Sequence, residues 1–188
     1  VLDSDMRTLA ITQNITLDGS IEMLGDWFDP QAGDASDLKG HNEEVDARAD
    51  ALVLGRQTFE DFRGYWPQQT DDTTGVTAYL NEVAKYVVSS TLTEPGWENT
   101  TVLRGDLVAE VAALKEQPGK DIVVTGSITL CHALITAGLV DEYRLYTYPV
   151  VQGRGRRLFP DGHEIPHLEL LDTRRFAIGV AYASYAAH

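Results

Sequence analysis

The chain has 188 residues, 43% of them hydrophobic and 23% charged, and carries a formal net charge of −14. That length suits one domain with a full core. The acidic balance argues against nonspecific binding to nucleic acid or to an anionic membrane, because the summed field repels polyanions.

Residues 1–5 precede the first methionine, Met6, and are set apart as a natural extension or a cloning remnant, which leaves 6–188 as a single domain. The N-terminus has no basic-then-apolar signal pattern, and no window approaches the roughly 18 apolar residues needed to span a bilayer. A cytoplasmic protein is the expectation. From Arg7 to Thr12 the run RTLAIT predicts a strand, and Asp18-Gly19 marks the turn that follows it. Gly25, Asp26, Asp29, Pro30, Gly33 and Asp34 then punctuate a long loop, inside which Trp27 and Phe28 either pin the loop to the body or line a pocket.

Asp34 or Ser36 is placed to cap a helix that continues through Leu38, Val45 and Ala49, with Asp37, Glu43 and Glu44 where a helix dipole favours negative charge. Ala51-Leu52-Val53-Leu54 predicts a strand buried on both faces, and Gly55 turns it into the helix Arg56-Gln57-Thr58-Phe59-Glu60. A polar loop from Gly64 to Gly75, a helical turn at Tyr79–Val83 and a strand ending in Ser89-Ser90 come next. Thr100 to Leu103 adds a short strand. Leu107, Val108, Val111 and Leu114 then give an amphipathic helix that stops near Pro118-Gly119.

The run Ile122-Val123-Val124-Thr125 breaks at Gly126-Ser127, and Ile128, Leu130, Leu134 and Ile135 follow at helical spacing until Gly138. Cys131, the single cysteine, sits on this helix as a packed small apolar residue; it excludes an intrachain disulfide and leaves no Cys-based zinc set, so no metal site is expected. Tyr143 to Val151 predicts the next strand. The basic run Arg154, Arg156 and Arg157, with Arg174-Arg175 further on, reads as solvated surface or as one small anion site. His167–Asp172 and Phe176–Tyr185 predict a closing antiparallel hairpin. The class is therefore α/β, a mostly parallel sheet with helices on both faces and an antiparallel C-terminal end.

In open α/β sheets ligands sit beyond the carboxyl ends of the strands, where helix N-termini present free N–H groups. Three such ends here carry suited chemistry: Gly55-Arg56-Gln57-Thr58, Ser89-Ser90 and Gly126-Ser127. Together they describe a site for a phosphorylated cofactor. The segments ITQNITLDGSI, LGRQTFE, KYVVSST, VTGSITLCHALITAGLVDEYRL and PVVQGRGRRLF, in this order, resemble the dihydrofolate reductase-like superfamily, in particular the branch of the reductase domain of the riboflavin-biosynthesis deaminase-reductase.

That resemblance implies a three-layer fold and bound NADPH. Carried over by position, Gly55, Arg56 and Thr58 match an element beside the cofactor phosphates, and Ser89 and Ser90 match the strand end at the adenosine 2′-phosphate. Thr125, Gly126 and Ser127 match the family's glycine pair and its strand, with Ser127 replacing the second glycine. Ile128, Thr129 and Leu130 would turn their N–H groups to the pyrophosphate. Asp18 and Gly19 match the loop bordering the nicotinamide. Trp27, Phe28 and Thr147 would belong to the substrate pocket, and the substrate acid would come from the helix start, as Asp37 or its rival Asp34. The implied activity is hydride transfer from NADPH to a small heterocycle such as a pteridine or pyrimidine. A non-catalytic nucleotide-binding module on the same fold is the alternative. The partner expected is a small-molecule substrate, and the family often forms a homodimer, for which Tyr182 and Tyr185 offer a face.

Overall fold

The computed structural model describes residues 6–29 and 35–188. Among these, eight strands form one sheet in the order β4-β3-β2-β5-β1-β6-β8-β7. The strands are β1 (Leu9–Thr16), β2 (Ala49–Gly55), β3 (Ala84–Val88), β4 (Thr100–Leu103), β5 (Asp121–Val124), β6 (Glu142–Tyr148), β7 (Leu168–Arg175) and β8 (Ala181–Ala187). The first six pair in parallel; β8 is antiparallel to β6, and β7 antiparallel to β8. The helices are α1 (Ser36–Asp46), α2 (Arg56–Tyr65), α3 (Val76–Glu82), α4 (Leu107–Lys115) and α5 (Ile128–Thr136). The expected class and the antiparallel end are both present.

Alternation along the strands divides the core. Leu9, Ile11, Val53, Ile122, Val124 and Tyr143 point to one face, where Val111 of α4 and Leu134 and Ile135 of α5 cover them. Cys131 is fully buried there, and burial pushes its thiol up to about 12, which makes it a packing group. On the other face Leu52, Leu54, Val87 and Val123 pack against Phe59 and Leu80 of α2 and α3. A separate cluster joins Tyr146 and Tyr182 to Leu38 of α1 and to Phe176 and Val180.

Several boundaries differ from expectation for identifiable reasons. Strand β1 continues past Thr12 because Gln13, Asn14, Ile15 and Thr16 find partners in β6. Ala49 opens β2, paired with Asp121, and does not close the helix. Strand β6 stops at Tyr148 because Pro149 has no N–H to offer a ladder. Phe176 to Val180 forms the hairpin turn, closed by Phe176 N–H donating to the Val180 carbonyl at 3.0 Å. Tyr182, proposed for a dimer face, is only 2% exposed beneath α1. The expected caps also differ: α1 is preceded by Ala35 with no side-chain cap, Ser36 is already helical, and Asp34 and the extension 1–5 lie outside the described residues.

Candidate active site

Two strand-to-helix junctions stand side by side. Gly126 and Ser127 both take left-handed backbone, with φ of 58° and 54°. That places the Ser127 hydroxyl where it accepts the Gly55 N–H at 2.8 Å, while Ser127 N–H donates to the Thr58 hydroxyl at 2.9 Å. Gln13 closes the arrangement by donating from Nε2 to the Gly126 carbonyl at 2.8 Å. The Thr58 and Ser127 hydroxyls thus brace the two turns against each other. Neither α2 nor α5 has a side-chain cap, and the first-turn residues of both helices line the same cleft. Gly55, Arg56, Thr58, Thr125, Gly126, Ser127, Ile128, Thr129 and Leu130 all line it. At about 1620 Å³ the cleft exceeds the roughly 300–1,000 Å³ of an ordinary small-ligand pocket and suits an extended ligand with a second molecule beside it.

Arg56 stands half exposed at the mouth, its Nη1 3.4 Å from Glu60 in a surface i,i+4 pair. Such a pair is worth about 0.3–0.5 kcal/mol, so the guanidinium is available to a stronger anion. Ser89 and Ser90 lie just beyond Val88, which lines the cleft. The Ser89 hydroxyl accepts the N–H groups of Thr91 and Leu92 at 3.2 and 3.0 Å, so it caps the turn after β3.

The Asp18-Gly19 turn serves as a strap. Asp18 accepts from the Thr16 hydroxyl at 2.6 Å, from Gln152 N–H at 3.1 Å and from Gly153 N–H at 2.7 Å. The Thr16 hydroxyl, then the Gly153 and Gln152 N–H groups, lower its pKa to about 2. An acid held ionised in this way has no proton to give near neutral pH, so the structure makes Asp18 a brace between the β1 turn and the loop after β6. Gly19, at φ 85°, donates its N–H to the Thr16 carbonyl and is the corner of the same turn.

Trp27 and Phe28 do both things considered for them. Trp27 Nε1–H donates to Gln152 Oε1 at 2.8 Å, and the two rings meet Tyr148 edge-on at 5.4 and 5.7 Å between centroids. All three rings also line the cleft, as do Leu38, Tyr146 and Ile178. Thr147 does not join them. Its neighbours Tyr146 and Tyr148 face the cleft, so the alternation of a strand sends Thr147 to the opposite face. Asp37 is likewise displaced: it is exposed, and its carboxylate accepts the N–H of Leu38 and of Ala177, each at 2.8 Å, which ties α1 to the hairpin turn.

Glu22, Asp29, Asp46 and Asp61 all line the cleft, and of these Asp46, in the last turn of α1, is the one whose pKa burial raises. Burial raises its pKa to about 6, Arg144 opposing and Glu43 adding to the rise. Arg144 is fully buried, bound by Glu142 at 2.9 Å through Nε and Nη2 and by Asp121 at 2.5 Å. Arg48 joins the same two carboxylates from the surface side at 3.2 and 3.6 Å. A charged residue inside the apolar run Tyr143–Val151 was the available signal for this network, since a buried arginine requires partners. Asp46 left no such mark among the acids of a wet helix.

The RibD C-terminal domain family model matches residues 7–182. Uncharacterized protein YyaP of Bacillus subtilis (strain 168) is 34% identical over 187 residues, covering 95% of this chain and 94% of that protein. Among solved structures, a pyrimidine reductase-like protein of Corynebacterium diphtheriae aligns with a TM-score of 0.68 at 16% identity, over 97% of this chain and 92% of that one. A dihydrofolate reductase from Enterococcus faecalis, complexed with NADP(H), aligns with a TM-score of 0.65 at 20% identity, over 96% of each chain. Identities this low establish the shared fold.

Proposed function

Because this chain belongs to the RibD C-terminal domain family, we propose that it is a reductase that binds NADPH in the cleft and transfers hydride to a small heterocycle of the pteridine or pyrimidine kind. The observation that carries the reading is the pair of uncapped helix N-termini, α2 and α5, facing one cleft with Arg56 at its mouth. Backbone N–H groups and a positive helix end favour a pyrophosphate, and a guanidinium favours the additional phosphate of NADPH. When bound, the nicotinamide supplies the hydride. The chain's own part is to hold the dinucleotide along β5 and α5, exclude water with Trp27, Phe28 and Tyr148, and orient the ring that accepts the hydride.

A module that holds a nucleotide without turnover is the second reading. It is favoured by one observation, that Asp18 and Asp37 are both committed to backbone bonds. Titration of NADPH and NADH with tryptophan fluorescence, followed by NADPH-consumption assays with pteridines, pyrimidines and quinones, separates the two. Tight NADPH binding with turnover of one class is the expected result. Binding without turnover of any class favours the module, and failure to bind either dinucleotide removes both readings.

A further inference from the structure

Strand β1 sends Leu9, Ile11 and Ile15 into the apolar core shared with α4 and α5, and the alternation puts Gln13 in the same row, 3% exposed. A carboxamide in that row costs desolvation unless its polar atoms are bonded. The parallel ladder between β1 and β5 ends at the pair Ile11 and Val124. Two residues further along each chain, Gln13 meets Gly126, and the carboxamide takes the place of backbone as the next rung. Its Nε2 donates to the Gly126 carbonyl at 2.8 Å, and its Oε1 accepts the Gly126 N–H at 3.3 Å. The backbone of Gln13 is in register with Leu145 on the other side, in β6. Gln13 Nε2 also donates to Cys131 Sγ at 3.4 Å, and that thiol donates to the Gly126 carbonyl at 3.3 Å.

What this rung holds is the entrance to α5. Gly126 and Ser127 are both left-handed, which carries the chain out of the sheet and into the helix. Gln13 takes the N–H and carbonyl of Gly126, and Thr58 takes the N–H of Ser127. The next donors along the chain are the N–H groups of Ile128, Thr129 and Leu130, which open α5 without a side-chain cap and line the cleft. We propose that Gln13 is a positioning residue for the dinucleotide: it acts through Gly126 and fixes the direction in which the first turn of α5 presents its N–H groups to the pyrophosphate. In taking a dinucleotide as the ligand of that turn, the proposal rests on the reading of the cleft given above.

The role needs both halves of the amide, one donor and one acceptor facing one peptide unit. A glutamate side chain has the same shape and meets this demand only when protonated: its O–H then donates to the Gly126 carbonyl while its C=O accepts the N–H. Once ionised it offers two acceptors, one of them set against the carbonyl. Burial raises the pKa of a carboxyl placed in such a row. Gln13→Glu therefore passes from matched to mismatched as pH rises. Cys131 is the titratable group that the Gln13 side chain touches, and its thiol, pushed up to about 12, stays neutral throughout.

The test follows NADP+ binding by tryptophan fluorescence and takes the ratio of variant to wild-type affinity at each pH, which cancels the titration of the ligand's own phosphates. Gln13→Glu should bind within about twofold of wild type near about pH 5 and about tenfold more weakly near about pH 8, the size of one mismatched buried hydrogen bond. Gln13→Met fills the space without polar atoms and should be weaker by about tenfold at every pH, which provides a second variant if Gln13→Glu does not fold. Cys131→Ala loosens the same packing and should lower the melting temperature, yet keep NADP+ affinity within about twofold because the amide rung remains. A Gln13→Glu ratio that is flat in pH, unchanged affinity in Gln13→Met, or equal losses in Cys131→Ala and Gln13→Met would each overturn the proposal. Wild type that binds no NADP+ would sink the dinucleotide reading itself; wild type that binds it, with variants that depart from this pattern, would sink the role of Gln13 alone.

Discussion

At the residue scale, Arg56 gives the sharpest prediction. Its partner Glu60 is an exposed neighbour at 3.4 Å, a weak competitor for the guanidinium. Replacement by Ala should therefore leave stability nearly unchanged while weakening NADPH on the order of tenfold to hundredfold, the loss of one or two charge-assisted hydrogen bonds. NADH should be nearly unaffected, and equal losses for both dinucleotides in parallel titrations would remove Arg56 from the 2′-phosphate. The serines are poorer probes, because removing Ser89 also uncaps the turn at Thr91 and Leu92. This contrast shows what a residue list can carry. A guanidinium beside a strand end keeps its meaning wherever its side chain swings, because its charge is permanent. A hydroxyl or carboxylate has the meaning of the partner it finds, and Asp18 and Asp37 found backbone N–H groups many positions away, at Gly153 and Ala177.

At the element scale, the strand-to-helix junctions were legible because they are local: glycine after an apolar run, then helical spacing. Their coupling was not, since Gly55 and Ser127 are 72 residues apart in the hydrogen bond that joins them. Thr147 illustrates the other limit. A one-residue difference in register reverses the face of a side chain, and a positional match such as the one that suggested Thr147 carries no information on parity. Gly126 tests the coupling. A Cβ there would stand 2.8 Å from Thr58 Cγ2 on a residue with φ of 58°. Gly138 offers the control, with φ of 66° and nothing within 4 Å of a built Cβ. Both substitutions to Ala should cost about 1–3 kcal/mol for left-handed backbone. Only Gly126→Ala should also displace Thr58, open the bond to Ser127 and reduce dinucleotide affinity; the two variants are compared by thermal melts and fluorescence titration.

At the scale of the whole molecule, the buried carboxylate of Asp46 ties stability to pH. Asp46 has a folded pKa of about 6 against an ordinary 3.8, raised by burial. The charged and titratable groups that act on it or feel its charge are Arg144, Glu43, Tyr79 and Tyr146. Below about pH 4 the carboxyl is protonated in both folded and unfolded chains and burial is tolerated. As pH rises toward 6 the unfolded chain releases its proton while the folded one retains it, so unfolding gains free energy and stability falls. Above about 6 the loss is complete, at most about 3 kcal/mol and less where water reaches the carboxylate. Asp18, with its pKa lowered to about 2, has the opposite sign and is present in wild type and variant alike. The difference in unfolding free energy between Asp46→Asn and wild type therefore isolates the one group. Denaturant melts from pH 4 to pH 8 should show no difference at the acid end and a variant more stable by about 1–3 kcal/mol at the alkaline end. A flat difference across this range would mean that Asp46 is solvated in the folded chain.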